Sequence, residues 1–518
     1  MTDSSTPAAS QTAPEGTTSP DDQDLSQRVN TRSRRPQSKA FREFVASGWD
    51  HRPAADVTPL ESAAWTPARR AALSAQFPGE RLVVPAGTYK QRSNDTDYRF
   101  RAHSAFVHLT GLDQDQEPDS VLVLEPVPDS TEHEATFYFR PRAGSDTEEF
   151  FSDSTYGEYW VGPRAELETM ETLIGVRCEN IAVAADAITK DLGSTSVRLL
   201  RGVDLALEAQ VDTARTQVQA DLDASHAGDD EMAQFLSELR LVKDDHEIAQ
   251  MRRAVEITRA GFDNVVAALP KALTHHRGER VVETAFELAA RTEGYGLGYD
   301  TIAASGNHAC TLHWIKNDGV VREGDLILVD AGAEADSLYT ADITRTLPVS
   351  GTFTEIQAKI YDAVLEASDA AFAKAASHVD GPVRFGEIHD AAMEVIARHL
   401  EEWGLLPVSA AQSLSPEGQQ HRRWMVHGTS HHLGLDVHDC AQARAEMYLD
   451  GLVEPGMVFT IEPGLYFKDE DLLLPEEFRG IGVRIEDDVL VTDTGVENLS
   501  ADFPRTRAEV EAWVQQGR

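Results

Sequence analysis

The sequence is poor in cysteine and in basic side chains, and each shortage excludes a class of protein. Its 518 residues include only three cysteines, Cys178, Cys310 and Cys440, which are too few and too widely spaced for a disulfide framework. The 47 basic side chains face 87 acidic ones, so the formal net charge is −40. Such a charge argues against duplex nucleic acid and anionic membranes as partners. We expect free thiols, a reducing compartment, and no nucleic-acid or membrane partner.

Long apolar runs are missing as well. No segment reaches the roughly 18 consecutive apolar residues that a membrane-spanning helix requires. The first residues also lack the basic start and apolar run that are typical of a secretory signal. These observations predict a cytoplasmic protein.

Composition and periodicity divide the chain into a tail and two domains. Residues 1–37 carry almost no large apolar side chains and are predicted to be disordered. Between residues 64 and 225, the runs RLVVPAG, DSVLVLEP and ATFYFRPR predict strands, and the stretches 164–190 and 203–224 predict amphipathic helices. The second domain, residues 240–505, opens with apolar residues at the spacing of a long helix, and TRAEVEAWVQQ predicts a short helix after it.

Two segments of the second domain share one pattern of glycines and acids. GDLILVDAG, at residues 324–332, and GMVFTIEPG, at residues 456–464, align without a gap. In each, an apolar run predicts a strand, and an acid stands six positions after the first glycine. These acids are Asp330 and Glu462. The similarity hints at an internal duplication.

Each half carries a second acid in a context that predicts a strand. These acids are Asp342, in YTADITRTLPV, and Glu486, in GIGVRIEDDVLVT. A carboxylate is costly to bury without a cation or hydrogen bonds, and four converging carboxylates repel one another. Two divalent cations would balance their charge. For any single acid, exposure to water at a strand end remains the competing interpretation, but the matched positions favour a shared metal site.

The segment HGTSHHLGLDVH, which starts at His427, contains four histidines. His427 and His431 have the spacing of a helical H-E-x-x-H zinc site, but Gly428 replaces the glutamate and the neighbouring residues favour strand and loop. His431 and His438 are an odd number of positions apart and would face opposite sides of a regular strand. A bend at Gly434 could bring both into one cleft.

The remaining histidines and cysteines are weighed in the same way. His432 is expected to be exposed or packed against neighbours. In SGNHACTLHW, His313 lies closer to the first carboxylate strand and is the better site candidate, whereas His308 is expected to be structural. Cys310 and Cys440 lie near histidines, but no C-x-x-C spacing supports a zinc site. An oxygen-rich site with one imidazole suits Mn²⁺, Co²⁺ or Zn²⁺ better than Ca²⁺.

Five ordered segments carry a family resemblance. LILVDAG, ADITRT, HGTSHHLGLDVHD, GMVFTIEPGLY and GIGVRIEDDVLVT resemble the metal-site segments of the pita-bread metallopeptidases, most closely those of the Xaa-Pro aminopeptidases. The resemblance covers most of residues 240–505, and NDTDYRFRAHSAFVHLTGL resembles the N-terminal domain of that family more loosely. It implies an α/β (α+β) fold. A pita-bread C-terminal catalytic domain with a pseudo-two-fold repeat would follow a smaller α/β N-terminal domain, at residues 64–225.

The resemblance also implies two divalent metal ions, usually Mn²⁺, with Co²⁺ or Zn²⁺ as alternatives. The implied ligands are Asp330, Asp342, His431, Glu462 and Glu486. Asp342 and Glu486 would bridge the two ions. Asp330 and His431 would each complete one side, and Glu462 would ligate beside the nucleophilic water.

Four further residues match positions that surround the metals in that family: His313, His427, His438 and Arg484. The histidines would contact the substrate and the tetrahedral intermediate. The implied activity is removal of the N-terminal residue from peptides with proline in second position. Activated water would attack the Xaa-Pro carbonyl while Glu462 carries the proton.

The resemblance further implies peptides with penultimate proline as partners, and a homodimer or homotetramer in which a neighbouring subunit closes the cleft. Trp160, in EYWVGPR, could belong to such a lid, although burial in the core is the expected position.

The sequence departs from the family pattern in two places. Twelve positions separate Asp330 from Asp342, where relatives commonly have eleven, and SAAQSLSPEGQQHRR, before His427, is extended. Neither change removes a ligand. A prolidase, which cleaves only Xaa-Pro dipeptides, remains an alternative, whereas the large first domain disfavours a methionine aminopeptidase. An inactive pita-bread module that binds proteins is a third alternative, disfavoured because all five ligand positions are filled.

Overall fold

The computed structural model describes residues 36, 38–50, 57–94, 96–113 and 117–517. The predicted tail, residues 1–37, lies outside these ranges except for Pro36. Among the helices of the described ranges, none is both long and apolar enough to cross a membrane.

The strands of the first domain, as far as it is described, are β1 (Arg81–Pro85), β2 (Gln91–Ser93), β3 (Thr96–Asp97), β4 (Val121–Pro126), β5 (His133–Phe139), β6 (Arg177–Asn180) and β7 (Val197–Leu199). Five of them form one sheet in the order β6, β5, β4, β1, β7, and the three central strands are the three predicted runs. Leu82 and Val84 of β1 pack into one apolar cluster, and Val83 packs into another. This alternation shows that the sheet is covered on both faces.

The described helices of the first domain are α1 (Lys39–Val45), α2 (Thr66–Gln76), α3 (Ser104–Thr110), α4 (Glu148–Ser152), α5 (Glu158–Val161), α6 (Leu167–Ile174), α7 (Ala184–Thr189), α8 (Leu205–Gln217) and α9 (Leu222–Glu238). The stretch 164–190 is therefore not purely helical. Gly175, with a φ of 65°, ends α6 in the left-handed conformation, and β6 follows in parallel pairing with β5. The stretch 203–224 contains α8 and only the start of α9.

Trp160 corrects another expectation. It lies in the four-residue helix α5, none of whose residues is buried, and it is 49% exposed rather than part of the core. Its indole nitrogen donates to the carbonyl of Phe151 at 2.9 Å.

The first half of the second domain is a pair of helices followed by a sheet. Its elements are α10 (Asp245–Ala272), α11 (Gly278–Glu293), β8 (Gly296–Leu297), β9 (Ile302–Ser305), β10 (Leu326–Ala331), β11 (Ala333–Glu334) and β12 (Ile343–Pro348). The long helix predicted near residue 240 begins at a capping box, in which the side chains of Asp244 and Glu247 each accept a hydrogen bond from the other's backbone amide. Strand β10 lies between β12 and β9, antiparallel to both.

The second half repeats this order. Its elements are α12 (Glu355–Ala376), α13 (Gly386–Glu402), α14 (Ala410–Ser413), β13 (Val458–Ile461), β14 (Gly464–Phe467), β15 (Ile481–Arg484), β16 (Asp487–Thr492) and β17 (Gly495–Asn498). Helix α15 (Arg507–Gln516) follows, where TRAEVEAWVQQ predicts it. The repeated sequence runs form β10 and β13, so each half has a strand at the predicted position.

Short 3₁₀ helices occupy several connections: Glu61–Ala64, Ile181–Val183, Gly306–Cys310, Ser377–Val379, Gln420–Arg423 and Glu476–Phe478.

The two halves of the second domain join where β12 meets β15 and β16. The hydroxyl of Thr346 donates to the carbonyl of Arg484 at 2.9 Å, and the amide of Glu486 donates to the carbonyl of Thr344 at 3.1 Å. These bonds bring the acid-bearing strand ends of both repeats together.

The two domains share part of one apolar core. Leu338 and Leu433 of the second domain pack in the same buried cluster as Phe106 and Phe137 of the first. Leu338 has a φ of 69° in the connection between β11 and β12. That connection therefore contributes to the domain contact.

Candidate active site

The four predicted acids leave the sheets at neighbouring strand ends. Asp330 is the penultimate residue of β10, and Asp342 immediately precedes β12. Glu462 immediately follows β13, and Glu486 lies between β15 and β16. They line one cleft of about 600 Å³. Asp330, Asp342 and Glu486 are 8%, 5% and 2% exposed, so these acids do not face bulk water as the competing interpretation requires.

The cleft also receives the other predicted residues. Its lining includes all nine side chains that the sequence singles out for the site: His313, Asp330, Asp342, His427, His431, His438, Glu462, Arg484 and Glu486.

Among the histidines of the cleft, His431 makes the shortest contact with the acids. Its Nε2 atom lies 3.3 Å from Oδ2 of Asp342, 3.8 Å from Oε1 of Glu462 and 4.0 Å from Oε1 of Glu486. One ligand atom from each of Asp342, His431 and Glu486 lies within 4.8 Å of the other two. Three donors from both repeats thus stand within reach of a single ion.

Crowding of the acids perturbs their ionisation. Burial, reinforced by the negative charge of Asp330, raises the pKa of Asp342. Burial also raises the pKa of Glu462 to about 7, and burial together with Asp342 holds the pKa of Glu486 well above its usual range. Burial opposes the charge of His431, but Asp342 and Glu462 outweigh it and raise its pKa to about 8.

These perturbations are the test of whether divalent metals fit the residues present. Buried carboxylates that repel one another need positive charge, and His431 and Arg484 together supply at most two positive charges for four acids. The donor set of four carboxylates and one imidazole is chemically suited to Mn²⁺, Co²⁺ or Zn²⁺. The residues therefore fit divalent metal binding.

The histidine segment lies beside β13 as an extended chain and not as a helix. The amide of Glu462 donates to the carbonyl of Thr429 at 2.8 Å, and the amide of Thr460 donates to the carbonyl of His431 at 2.9 Å. His432 forms a bridge with Phe459 and stacks on Phe385, with ring centroids 4.6 Å apart. Pairing with β13 thus sends His431 into the cleft and His432 into the core.

The chain bends after this paired segment and returns to it. The amide of Gly434 donates to the carbonyl of Asp436 at 3.1 Å, and the amide of Asp439 donates to the carbonyl of His432 at 2.9 Å. This loop brings the ring centroids of His431 and His438 to 4.4 Å. Both histidines therefore face the same cleft.

Gly434 allows the bend because of a close approach. A Cβ atom at this position would lie 2.4 Å from Oδ2 of Asp439. That carboxylate accepts hydrogen bonds from Arg240 and Cys440, so it has little freedom to move.

A relay of hydrogen bonds connects His427 with the acids. Its Nε2 atom lies 2.7 Å from the hydroxyl of Tyr466, which accepts from Arg484 at 3.1 Å. Arg484 also contacts the carboxylate of Asp330. On the other side of its ring, Nδ1 of His427 lies 3.5 Å from Oε2 of Glu462. Burial lowers the pKa of His427 to about 3, so its ring is neutral.

Three residues with hydroxyl groups contact the site but are not predicted from the sequence. The hydroxyl of Tyr299 contacts both Asp330, at 2.6 Å, and Asp342. Thr344 donates to Oε2 of Glu486 at 2.6 Å, and Tyr466 lies between His427 and Arg484. Thr344 and Tyr466 stand inside the quoted segments DITRT and EPGLY, where a search for hydrogen-bond partners of the acids could have found them. Tyr299 lies far from any acid motif and carries no such signal.

The remaining histidines and cysteines occupy different surroundings. His313 is exposed at the cleft, whereas Nδ1 of His308 lies 2.7 Å from Oε1 of Glu279, in a structural contact. Cys178, Cys310 and Cys440 are buried free thiols, and burial raises the pKa of each to about 12. Thiols with such pKa values are poor zinc ligands.

Two family models match the chain. The model of metallopeptidase family M24 matches residues 249–493, and the model of the aminopeptidase P N-terminal domain matches residues 67–199. The chain is 48% identical to Xaa-Pro aminopeptidase 1 of Streptomyces coelicolor over 92% of each chain. It is 34% identical to Xaa-Pro aminopeptidase of Escherichia coli, over 87% of this chain and 97% of that one.

Solved structures agree with these matches. A zinc-substituted Escherichia coli aminopeptidase P in complex with product superposes with a TM-score of 0.74 at 31% identity, covering 89% of this chain and 99% of that one. A Pseudomonas aeruginosa aminopeptidase superposes with a TM-score of 0.73 at 30% identity, covering 88% and 98%.

Proposed function

The chain belongs to metallopeptidase family M24, with the Xaa-Pro aminopeptidases as its relatives along nearly the whole length, and from that premise we propose how its residues carry out the reaction. It is a metal-dependent hydrolase that removes the N-terminal residue from peptides with proline in second position. Such an enzyme is needed because proline lacks the amide N–H and has a fixed φ, so its peptide bond fits general peptidases poorly.

The proposed metal ligands are Asp330, Asp342, His431, Glu462 and Glu486. These five side chains would hold two divalent ions, with Asp342 and Glu486 shared between them and Asp330 and His431 each serving one. The observation that carries this assignment is the convergence of mutually repelling acids from both sequence repeats around His431, whose Nε2 atom lies within 4.0 Å of three of them. When bound, two divalent ions lower the pKa of a water molecule and polarise the scissile carbonyl.

The chain's own residues position the peptide and move the proton. Glu462 accepts the proton of the attacking water and delivers it to the proline nitrogen as the carbon–nitrogen bond breaks. His438, at the open side of the cleft, donates to the oxygen on which negative charge develops, and His313 assists it. His427, neutral and held by Tyr466, contacts the substrate beside Glu462. Arg484 orients Asp330 from behind.

Substitution of Glu462 tests the proton transfer. Glu462→Ala is expected to lose nearly all turnover, because both the ligand and the proton carrier disappear. The measurement is kcat on an Xaa-Pro-Yaa tripeptide with Mn²⁺ at saturation, and Glu470→Ala, an exposed acid of the same half, is the control. A Glu462 variant with a near wild-type rate would contradict the mechanism.

A paired substrate assay separates the aminopeptidase from a prolidase. We expect hydrolysis of Xaa-Pro-Yaa as well as of Xaa-Pro, because the curated relatives that span 92% of this chain are Xaa-Pro aminopeptidases. Activity confined to the dipeptide would contradict this expectation.

The inactive binding module is disfavoured by the complete ligand set. A purified protein that contains no divalent metal and shows no activity after addition of Mn²⁺ would support it.

Three finer points belong to the same proposal. Mn²⁺ is the proposed native metal, because carboxylate oxygens dominate the donor set, with Co²⁺ or Zn²⁺ as alternatives. The enzyme is proposed to be a homodimer or homotetramer, which light scattering of the purified protein would measure. It is proposed to work in the cytoplasm, where its three buried free thiols would stay reduced.

A further inference from the structure

The loop that carries His313 is tied down by one buried carboxylate. Glu279, the second residue of α11, is 0% exposed. Its Oε1 atom accepts from the amide of Ser305 at 2.8 Å and lies 2.7 Å from Nδ1 of His308. Its Oε2 atom accepts from the indole of Trp314 at 2.8 Å and from the amide of Gly319 at 2.7 Å. Four donors, spread over fifteen residues of chain, thus converge on one side chain.

The geometry around Glu279 is specific to a carboxylate. A Cβ atom at Gly319 would lie 2.7 Å from the carboxylate carbon of Glu279, so the absence of a side chain there permits the approach. The rings of His308 and Trp314 stack with centroids 3.8 Å apart, and each ring presents one nitrogen to a different oxygen of the acid. Hydrogen bonds to an ionised group are about twice as strong as neutral ones. The four bonds therefore offset the cost of burying this acid.

The tied loop has a consequence for the cleft. His313 itself is exposed at the cleft, and its neighbour in the chain, Trp314, is one of the four groups that Glu279 holds. The two ends of the loop, Ser305 and Gly319, are held by the same carboxylate. The carboxylate thus determines both the path of the loop and the place where His313 stands.

We propose that Glu279 is the positioning residue for His313: by tying the loop 305–319 at four points it sets the place of that histidine in the cleft. The inference rests on the proposed function in one respect, namely that His313 contacts the substrate. Glu279 itself does not line the cleft and does not touch the reacting atoms.

A double-mutant cycle tests the proposal on the full chain loaded with Mn²⁺. Glu279→Gln keeps the size of the side chain but replaces one acceptor by a donor, and we expect kcat/KM on an Xaa-Pro-Yaa tripeptide to fall by about 10- to 100-fold. His313→Ala is expected to fall at least as far. The double variant should match His313→Ala within about twofold, because Glu279 acts through the histidine. Glu287→Gln, on the same helix and outside this set of bonds, is the control for loss of an acid.

Hydrogen exchange supplies a readout that does not depend on the role of His313. In Glu279→Gln, amides of residues 305–319 should exchange faster, while those of β10 keep their protection. If that variant does not fold, Trp314→Phe removes one of the four bonds while it keeps a stacked ring, and it enters the same cycle and exchange measurement.

The possible results separate the two levels of inference. Losses that add up in the cycle, or a loop that stays protected in the variant, would overturn the role of Glu279 and leave the proposed function intact. A fully active His313→Ala would overturn the role assigned to His313, and with it this inference, whereas the Glu462→Ala experiment would remain decisive for the reaction.

Discussion

At the scale of single residues, the site depends on groups that neutralise or orient acids. Tyr299 illustrates this: its hydroxyl contacts the carboxylates of both Asp330 and Asp342, and its side chain is partly buried at the cleft. Burial and these two acids hold the pKa of Tyr299 well above its usual range, so the group remains a hydrogen-bond donor. It can therefore fix the orientation of two proposed ligands of different strands.

Tyr299→Phe is expected to weaken metal binding by about 10- to 100-fold, because residues that orient metal ligands contribute that much to affinity. Competition with a chelator measures the effect, and activity should return when Mn²⁺ is added in excess. Tyr361→Phe, which removes a buried hydroxyl that donates to the carbonyl of Arg505, is the control and should retain wild-type affinity. Equal affinities of the Tyr299 variant and the wild type would contradict this role.

At the scale of elements, the segment from Thr429 to Asp439 is the structural core of the histidine motif. It pairs with β13 and then folds back, so that side chains seven positions apart meet in the cleft. Gly434 and Asp439, which have no proposed part in the reaction, maintain this shape.

Gly434→Ala should destabilise the protein by about 1–3 kcal/mol, because the new methyl group overlaps a carboxylate that is fixed by hydrogen bonds. Thermal unfolding monitored by circular dichroism measures the loss. Gly428→Ala is the matched control, since a Cβ atom there would meet no neighbour closer than 3.9 Å. An unchanged melting temperature for Gly434→Ala would show that the loop can repack.

Asp439 makes the same loop sensitive to acid. Burial opposes its ionisation, but Arg240 and Lys243 outweigh it and hold the pKa of Asp439 below its usual range. A depressed folded-state pKa stabilises the protein above the ordinary aspartate pKa of about 4, and this contribution is lost as the pH falls towards the depressed value.

Asp439→Asn should therefore cost about 3 kcal/mol at neutral pH, because it removes the carboxylate 2.9 Å from the buried Arg240 and leaves that guanidinium with Asp436 at 3.8 Å. The difference from wild type should shrink below about pH 4, where the wild-type acid begins to lose its advantage. Denaturant titrations at several pH values measure it, with the exposed Asp450→Asn as the control. A difference that stays constant down to pH 2 would contradict the assignment to this carboxylate.

At the scale of the whole molecule, the first domain supports the second through apolar and ionic contacts. Leu338 and Leu433 pack against first-domain phenylalanines, and Arg69 of the first domain forms an ion pair of 2.8 Å with Asp244 at the start of α10. Arg101 likewise pairs with Glu334 at 2.6 Å. The second domain therefore depends on the first domain for part of its apolar packing and for ion pairs.

A fragment of residues 240–518 is expected to melt at a lower temperature than the intact chain and to bind a hydrophobic dye, because separation exposes the shared apolar cluster. Calorimetry and dye fluorescence measure both effects, and a chain shortened only by residues 1–37 is the control. A fragment as stable as the intact chain would show that the domains are independent folding units.

Features that depend on local pattern could be predicted from the amino-acid sequence alone. The repeated glycine and acid positions identified Asp330 and Glu462 and predicted the neighbouring strands. An acid next to an apolar run can be recognised from the local sequence, without knowledge of its tertiary contacts. The strand-like contexts of Asp342 and Glu486 added the other two acids, and the family resemblance added the role of His431 as a ligand and the reaction that the comparisons support. Helical periodicity was less reliable, since it could not distinguish two helices from helix, strand and helix in the stretch 164–190.

The groups that lie beside each acid could not be predicted in this way, because they are brought there by the packing of distant segments. Tyr299 reaches Asp330 and Asp342 from a distant part of the chain, and Glu279 holds a loop whose ends, Ser305 and Gly319, lie 26 and 40 positions further along the chain. Likewise, His431 and His438 meet only because the chain bends between them. In a regular strand their side chains would face opposite sides. The physical reason is the same in each case: hydrogen bonds and close approaches between distant segments arise from packing, and they leave no periodic signal in the sequence.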